Sequence, residues 1–144
     1  MQIQQVLNAI MPPKKNATLY GIINDLIQDS APLIVDNRNY IVNNVPADLR
    51  IETNGTIISS VLSKLFHTTI RHAQNSVILI SAKEYGMVVL VQVKSKGNII
   101  PGLSEDISHA CRKAQKTGGT IEMIHCESKQ ASIAYCFLNV AGTA

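Results

Sequence analysis

Residues 57–73 read IISSVLSKLFHTTIRHA and are the most informative stretch of the chain. Their apolar residues recur at the spacing of a helix that buries one face, and Asn54 precedes them as a suitable N-cap. On one flank, polar residues recur at i, i+4, i+7 and i+8, which brings them together on consecutive turns. These residues are Lys64, Thr68, Arg71 and His72. We therefore predict an amphipathic helix whose buried face holds Ile58, Val61, Leu62, Leu65 and Phe66.

The segment before this helix predicts one further helix and two short strands. Thr18 is a suitable N-cap for a helix whose apolar face begins at Leu19. Residues 40–45 are rich in β-branched side chains, so we expect a strand there. Residues 49–52 (LRIE) alternate between apolar and charged side chains, which predicts a second strand with its apolar side inward.

Two hairpins and a third helix follow. The hairpins join residues 76–82 to 87–94 and residues 120–126 to 132–140. Between them, Ser104 is predicted to cap a helix that Gly118 and Gly119 end. This order of elements predicts an α+β fold, a two-layer α/β sandwich with a mixed, mostly antiparallel sheet and three helices on one face.

The composition is that of one globular domain. The chain has 144 residues, of which 46% are hydrophobic and only 16% are charged. Its net charge of +3 is spread too diffusely to indicate a nucleic-acid partner. Three cysteines without a C-x-x-C pair indicate reduced thiols. No secretory signal is recognisable, and Lys83 and Glu84 interrupt the most apolar region. We therefore expect a cytoplasmic protein with no membrane span.

Residues 1–17 are predicted to be an N-terminal helix and linker, and residues 18–144 the domain itself. Met1–Met11 has apolar residues at helical spacing, and Pro12-Pro13 ends that helix. Such a short helix is marginal alone, so it needs a surface to pack on. Two alternatives follow: the helix packs on its own domain, or residues 1–11 join two subunits in a homodimer.

Three parts of the chain, in order, resemble the histidine kinase-like ATPase domain (the GHKL or Bergerat fold). Residues 18–54 resemble its opening helix, hairpin region and the acidic turn that follows. Residues 61–82 (VLSKLFHTTIRHAQNSVILISA) resemble the N box running into the next strand. Residues 113–123 (KAQKTGGTIEM) resemble the helix, Gly-Gly turn and strand that close the ATP-lid side. The resemblance is greatest to the ATP-binding domain of bacterial sensor histidine kinases, and it implies their fold.

The resemblance also assigns nucleotide-site positions in the N box. Thr68 is at the position where the family has the asparagine that holds magnesium, and Lys64 replaces the earlier asparagine. A lysine there repels a metal ion. Arg71 matches the family's basic position, which in active members approaches phosphate, and His72 matches the motif as well.

The later nucleotide motifs are altered as well. In VKSKGNII (residues 93–100), Ser95 replaces the aspartate that binds adenine, Gly97 is retained, and Ile99 replaces the second glycine. Ser104 and Asp106 stand where the family has a glycine-rich helix start, and this carboxylate competes with phosphate for the site. Only six residues, 98–103, separate Gly97 from Ser104, so no mobile ATP lid is expected.

The altered motifs predict a degenerate histidine kinase-type ATP-binding domain that acts as a signalling or regulatory binding module. We expect no catalytic residue, no bound metal and no cofactor, and a protein partner that the sequence does not name. The four histidines all lie inside the ATPase-like domain, so the phosphate-accepting half of a kinase is missing. The alternative is a module that binds ATP and Mg²⁺ and phosphorylates a partner in trans, because Arg71, His72 and Gly97 match the family.

Overall fold

Four helices and five strands lie within residues 17–141, the part of the chain that the computed structural model describes. The helices are α1 (Leu19–Asp29), α2 (Ala31–Asp36), α3 (Gly55–Arg71) and α4 (Leu103–Lys116). The strands are β1 (Tyr40–Asn44), β2 (Ala73–Tyr85), β3 (Val88–Ile99), β4 (Thr120–Cys126) and β5 (Gln130–Leu138). The predicted N-terminal helix, residues 1–11, lies outside the described residues. No helix within residues 17–141 is long and apolar enough to cross a membrane.

The five strands form one mixed sheet in the order β1-β2-β3-β5-β4. The β1–β2 pair is parallel and the other pairs are antiparallel, so the predicted sheet type is confirmed. Along β3, Val89, Val91 and Val93 are buried, whereas Lys94 and Lys96 are exposed. The helices therefore cover one face of the sheet, as the two-layer prediction requires.

Helix α3 confirms the amphipathic pattern of the opening stretch. Asn54 Oδ1 accepts hydrogen bonds from the main-chain N–H groups of Thr56 (3.0 Å) and Ile57 (3.3 Å), so the helix begins earlier than residue 57. All five predicted core residues are buried. At the other end, the Asn37 and Asn39 side chains donate to the carbonyl oxygens of Ile70 (3.2 Å) and Ala73 (3.0 Å). These amides bind carbonyl groups at and just beyond the end of the helix.

The region before α3 differs from the prediction in two respects. Residues 49–52 are not a strand, because the segment makes only an isolated bridge between Arg50 and Thr18. Within the described residues the partner segment consists of Ala17 and Thr18 alone, because α1 begins at Leu19. The predicted burial of Leu49 and Ile51 is nevertheless correct. A fourth helix, α2, is also present. Pro32 does not prevent it, because this residue is in the first turn of the helix, where proline is tolerated.

The hairpins are present with shifted ends. The β2–β3 hairpin is longer than predicted and runs from the Ala73–Ile99 pair to the Tyr85–Val88 pair. A register shift between Gln74 and Val77 interrupts it. In the second hairpin β4 has the predicted bounds, whereas β5 begins and ends earlier.

Helix α4 begins one residue before the predicted cap. Gly102, at φ 102°, is the N-cap, so Ser104 lies within the first turn and its assignment as the cap is wrong. The tight Pro101-Gly102 turn brings the backbone into the helix early, and Asp106 N–H donates to the Gly102 carbonyl (3.0 Å). The helix ends as predicted, with Gly118 at φ 85° and Gly119 N–H bonded to the Ala114 carbonyl (2.8 Å).

Candidate functional site

The candidate site lies where the end of α3 meets the start of α4. Arg71 is the last residue of α3 and His72 is its C-cap, while Asp106 is in the first turn of α4. The connector, residues 100–102, passes between these two ends. The fold thus brings Arg71 and His72, two of the predicted site residues, against an acidic residue 34 or more positions away.

His72 is held on both ring nitrogens. Its Nε2 is 2.6 Å from Asp106 Oδ2, and its Nδ1 is 3.2 Å from the carbonyl oxygen of Ile100. Both neighbours are hydrogen-bond acceptors, so both bonds form together only when each ring nitrogen carries a proton. The side chain is only 10% exposed. The contact of His72 with Asp106 is therefore closer than that of Arg71, whose guanidinium lies 3.4 Å from the same oxygen.

Arg71 makes a weaker contact with the same carboxylate. Its guanidinium lies 3.4 Å from Asp106 Oδ2, with the two side chains 51% and 44% exposed, so water screens the pair. The hydrogen bond from His72 is the main cause that lowers the pKa of Asp106 below its ordinary value of 3.8, and the charges of His72 and Arg71 add to it. Asp106 is thus ionised and satisfies both basic groups.

The connector is tied to His72 by its backbone. Ile100 N–H donates to the His72 carbonyl (2.7 Å), while the Ile100 carbonyl accepts from the His72 ring. Ile99 N–H donates to the Ser128 carbonyl (2.9 Å). Only three residues join β3 to α4, which agrees with the predicted lack of room for a lid.

Gly97 has a structural role that the sequence did not indicate. Its φ of 144° disfavours a side chain. A Cβ there would lie 2.6 Å from the Asn75 carbonyl oxygen and would overlap the Ser76 side chain. The residue is therefore a glycine because the irregular start of β2 approaches it closely, whether or not a ligand binds.

Thr68 and Ser95 are both buried, at 3% and 1% exposure. The Thr68 hydroxyl donates to the Lys64 carbonyl (2.8 Å), so it is engaged with its own helix. Ser95 is on the helix-covered face of β3, and its hydroxyl has no hydrogen-bond partner within residues 17–141. No group of three or more His, Cys, Asp or Glu in this range is placed to hold a metal ion.

The remaining predicted positions lie apart from the cluster. Lys64 is exposed and lines a large groove between α1 and α3, and Ser104 is exposed on the first turn of α4. Lys96, next to Ser95 on β3, is exposed on the open face of the sheet. The predicted positions therefore do not form one cleft.

Sequence reasoning identified Asp106 as a competitor of phosphate but missed which groups it contacts. The His72–Ile100 contact was missed as well, because a main-chain acceptor has no sequence signature. The sequence feature that could have indicated the Asp106 contact was an acidic residue in the first turn of a helix that follows a short connector.

Comparison with known proteins supports the fold only through solved structures. No family model matches the chain, and no curated protein does. The histidine kinase AdeS of Acinetobacter baumannii superposes with a TM-score of 0.73 at 11% identity, over 95% of this chain and 73% of that one. The catalytic domain of histidine kinase ThkA gives 0.71 at 21% identity, over 87% and 95%.

A third structure contains histidine kinase ThkA in complex with the response regulator protein TrrA. It gives a TM-score of 0.69 at 20% identity, over 96% of this chain and 46% of that one. The element order, the mixed sheet and these superpositions agree with one another. The chain has the histidine kinase-like ATPase fold.

Proposed function

We propose that this chain is a degenerate histidine kinase-type ATP-binding domain that does not bind nucleotide and serves as a regulatory binding module in signalling. The contact of Asp106 with His72 and Arg71 carries the proposal. By resemblance, Arg71 stands at the position that approaches phosphate in active members of the family, and His72 matches the next position of the motif. Here a carboxylate of the same chain takes up their charges.

A phosphate group has to displace Asp106 before it reaches either basic residue. Asp106 Oδ2 contacts both of these side chains. The 2.6 Å bond of the shielded His72 is the harder one to replace. The internal carboxylate therefore competes with phosphate at this position and lowers its affinity.

The other nucleotide contacts are weakened independently. The Thr68 hydroxyl is bonded to its own helix, and Lys64 stands one turn before it, so the magnesium position offers a poor ligand beside a positive charge. Ser95 cannot supply the charge-assisted bond of an aspartate to adenine, which costs about 1.5–3 kcal/mol. The short connector also provides no segment that could close over a bound nucleotide.

The partner of such a regulatory module is expected to be a protein. ThkA, which shares the fold, has been captured with a response regulator, and that class of protein is the first to test as a partner. The second candidate function, phosphorylation of a partner in trans, is favoured by Arg71, His72 and Gly97. Gly97 supports it weakly, because the contact with β2 already requires a glycine.

The direct test is thermal unfolding of the full chain with ATP or ADP, each with and without Mg²⁺. A ligand at a hundred times its Kd raises the free energy of unfolding by about 2.7 kcal/mol. We expect no shift up to about 10 mM nucleotide. A magnesium-dependent rise in Tm below about 1 mM nucleotide would contradict the proposal and favour the kinase alternative.

A pair of variants tests the role of the carboxylate. In Asp106→Ala the charges of Arg71 and His72 are released, so inorganic phosphate should stabilise this variant more than the parent chain. The matched control is Glu105→Ala, because Glu105 is on the same turn and its carboxylate makes no ion pair within residues 17–141. Equal stabilisation of both variants by phosphate would show that Asp106 does not keep phosphate from the two basic residues.

A further inference from the structure

The face of the sheet that points away from the helices, its open face, is rich in apolar side chains. Residues 77–80 (VILI) of β2 and residues 88–91 (VVLV) of β3 are apolar at every position. A strand with one face in water alternates between apolar and polar residues, whereas continuous apolar runs are typical of strands that are covered on both faces. Within residues 17–141 the helices cover one face alone, so the apolar residues of the open face have no covering layer there.

The exposed apolar residues of the open face form two groups. In the first, Tyr40 of β1 is paired in register with Val77 of β2. In the second, at the other end of the face, Val88 of β3 is between Tyr85 and Leu138. These five side chains belong to residues that are 38% to 68% exposed, so the described part of the chain leaves them in contact with water. Groups of exposed apolar side chains are typical of protein interaction sites.

The open face is also basic. Lys83 of β2 and Lys94 and Lys96 of β3 are exposed there, and none of them forms an ion pair within residues 17–141. Lys96 is paired in register with Val77, so positive charge lies beside the first apolar group. Glu122, on the edge strand β4, is the one acidic strand residue of this face in the described range. The surface therefore combines apolar side chains with positive charge.

We propose that the open face binds an amphipathic helix of a partner protein, whose apolar stripe is flanked by aspartate and glutamate side chains. This helix is the third layer that the continuous apolar runs of β2 and β3 indicate. Its stripe covers the two apolar groups, and its carboxylates pair with Lys83, Lys94 and Lys96. The inference rests on the proposed role of the chain as a protein-binding module, but it does not depend on the loss of nucleotide binding.

The charge of the open face favours this partner over a second copy of the chain. Two copies that pack face to face bring the lysines of both against one another, and like charges across an interface reduce affinity. An acidic helix instead meets each of these lysines with an opposite charge. The open face is therefore complementary to an acidic surface and not to itself.

The distance between the two apolar groups favours a helix over a single-stranded nucleic acid. Tyr85 is eight positions after Val77, the partner of Tyr40, which puts the two tyrosines about 26 Å apart along the strand direction. Bases stack on aromatic side chains, and the open-face residues of β2 between these ends provide no aromatic ring. A helix of about 18 residues is about 27 Å long and reaches both apolar groups.

Binding of labelled peptides to the full chain, followed by fluorescence anisotropy, tests the proposal. The probe is a helical peptide of about 18 residues, with leucines at i, i+3, i+4 and i+7 and glutamates on both flanks of that stripe. The matched peptide keeps the leucines and has lysines in place of the glutamates. We expect saturable binding of the glutamate peptide, and binding of the lysine peptide that is weaker by about tenfold or more.

Charge reversal on the sheet locates the contact. The double variant Lys94→Glu, Lys96→Glu should reverse the preference, so that it binds the lysine peptide more tightly than the glutamate peptide. The matched control is Lys113→Glu, Lys116→Glu, which changes the net charge equally but at two exposed lysines of α4. That control should keep the preference of the parent chain for the glutamate peptide.

An apolar position tests the other half of the contact. Leu138 is half exposed at the end of β5, so Leu138→Ser leaves the core unchanged. This variant should bind the glutamate peptide more weakly by about threefold or more, because an apolar side chain that the peptide covers is lost. Val35→Ser, at a more exposed position on α2, is the control and should bind like the parent chain.

The proposal is overturned if the glutamate peptide does not bind at concentrations up to about 1 mM. It is also overturned if the Lys94→Glu, Lys96→Glu variant keeps the preference of the parent chain. Tighter binding of a labelled oligothymidylate than of the glutamate peptide would assign the face to nucleic acid instead. A dimer in sedimentation that Leu138→Ser dissociates would assign it to a second copy of the chain.

Thermal unfolding with nucleotide separates this proposal from the loss of nucleotide binding. A magnesium-dependent rise in Tm together with intact peptide binding would contradict only the proposed loss of nucleotide binding. Absent peptide binding together with an unchanged Tm in nucleotide would contradict only the acidic-helix partner.

Discussion

At the scale of single residues, the positions that match the nucleotide motifs of histidine kinases have structural roles of their own. His72 ties the end of α3 to the connector through Nδ1 and its carbonyl group, and to Asp106 of α4 through Nε2. Gly97 allows β2 to approach β3 where the register shifts. A match to a nucleotide motif at these positions is therefore explained by packing without any ligand.

Gly97→Ala should destabilise the protein strongly. Its φ of 144° strains any side chain, at about 1–3 kcal/mol, and overlap with β2 adds about 1–3 kcal/mol more. Urea unfolding measures the loss. The control is Gly86→Ala in the hairpin turn, where φ is also positive (61°) but no atom lies within 4 Å of the new Cβ. That variant should lose only about 1–2 kcal/mol, and an equal loss in both would refute the proposed contact.

At the scale of elements, the contact between α3 and α4 depends on an ionised carboxylate. The pKa of Asp106 is lowered in the folded protein, chiefly by the hydrogen bond from His72. A carboxyl group with a lowered pKa stabilises the fold above its unfolded pKa. This contribution is lost as the pH falls through the lower, folded value. The strength of the α3–α4 contact is thus a function of pH.

Asp106→Asn should therefore be less stable than the parent chain at neutral pH. The difference should shrink as the pH falls below about 4, where the parent carboxyl group also loses its charge. Urea unfolding at a series of pH values provides the measurement. Glu105→Gln serves as the control, and its stability at neutral pH should not differ comparably from that of the parent chain. A difference between Asp106→Asn and the parent that stays constant down to pH values of about 2 would exclude the ion pair as its cause.

At the scale of the whole molecule, one hydrophobic core joins the helices to the sheet. Tyr135 of β5 is fully buried in it, with its ring centroid 5.2 Å from that of Phe137. Its hydroxyl has no hydrogen-bond partner within residues 17–141. Burial raises the pKa of Tyr135 well above its ordinary value of 10.0. The core therefore contains a polar group that the fold leaves unsatisfied.

Tyr135→Phe should keep or raise the stability, because it removes a buried hydroxyl whose desolvation costs about 1–3 kcal/mol. Because burial raises the pKa of Tyr135, ionisation of the phenol does not affect stability below its unfolded pKa, and stability falls as the pH rises above about 10. The phenylalanine variant should lose less stability over this alkaline range. Thermal unfolding between neutral pH and about pH 11 tests this, with the exposed Tyr85→Phe as control. A large loss of stability in Tyr135→Phe at neutral pH would mean that the hydroxyl has a partner.

The amino-acid sequence by itself determined most of the elements and their order, although α2 was not predicted and the strand expected at residues 49–52 is absent. The buried face of α3, the Asn54 cap, both hairpins and the Gly118 turn follow from residues a few positions apart. Neighbours along the chain decide periodicity, capping and turns, so a single sequence suffices to predict them. The sheet type and the two layers follow from that order.

Only the tertiary structure decided which of these elements meet. The segment at residues 49–52 has the alternation of a strand but lacks a partner long enough to pair with. Asp106 meets His72 and Arg71 across more than thirty residues, and the groove between α1 and α3 needs both helices in place. Contacts between positions far apart in the chain depend on how the layers pack, and no local pattern of residues encodes that packing.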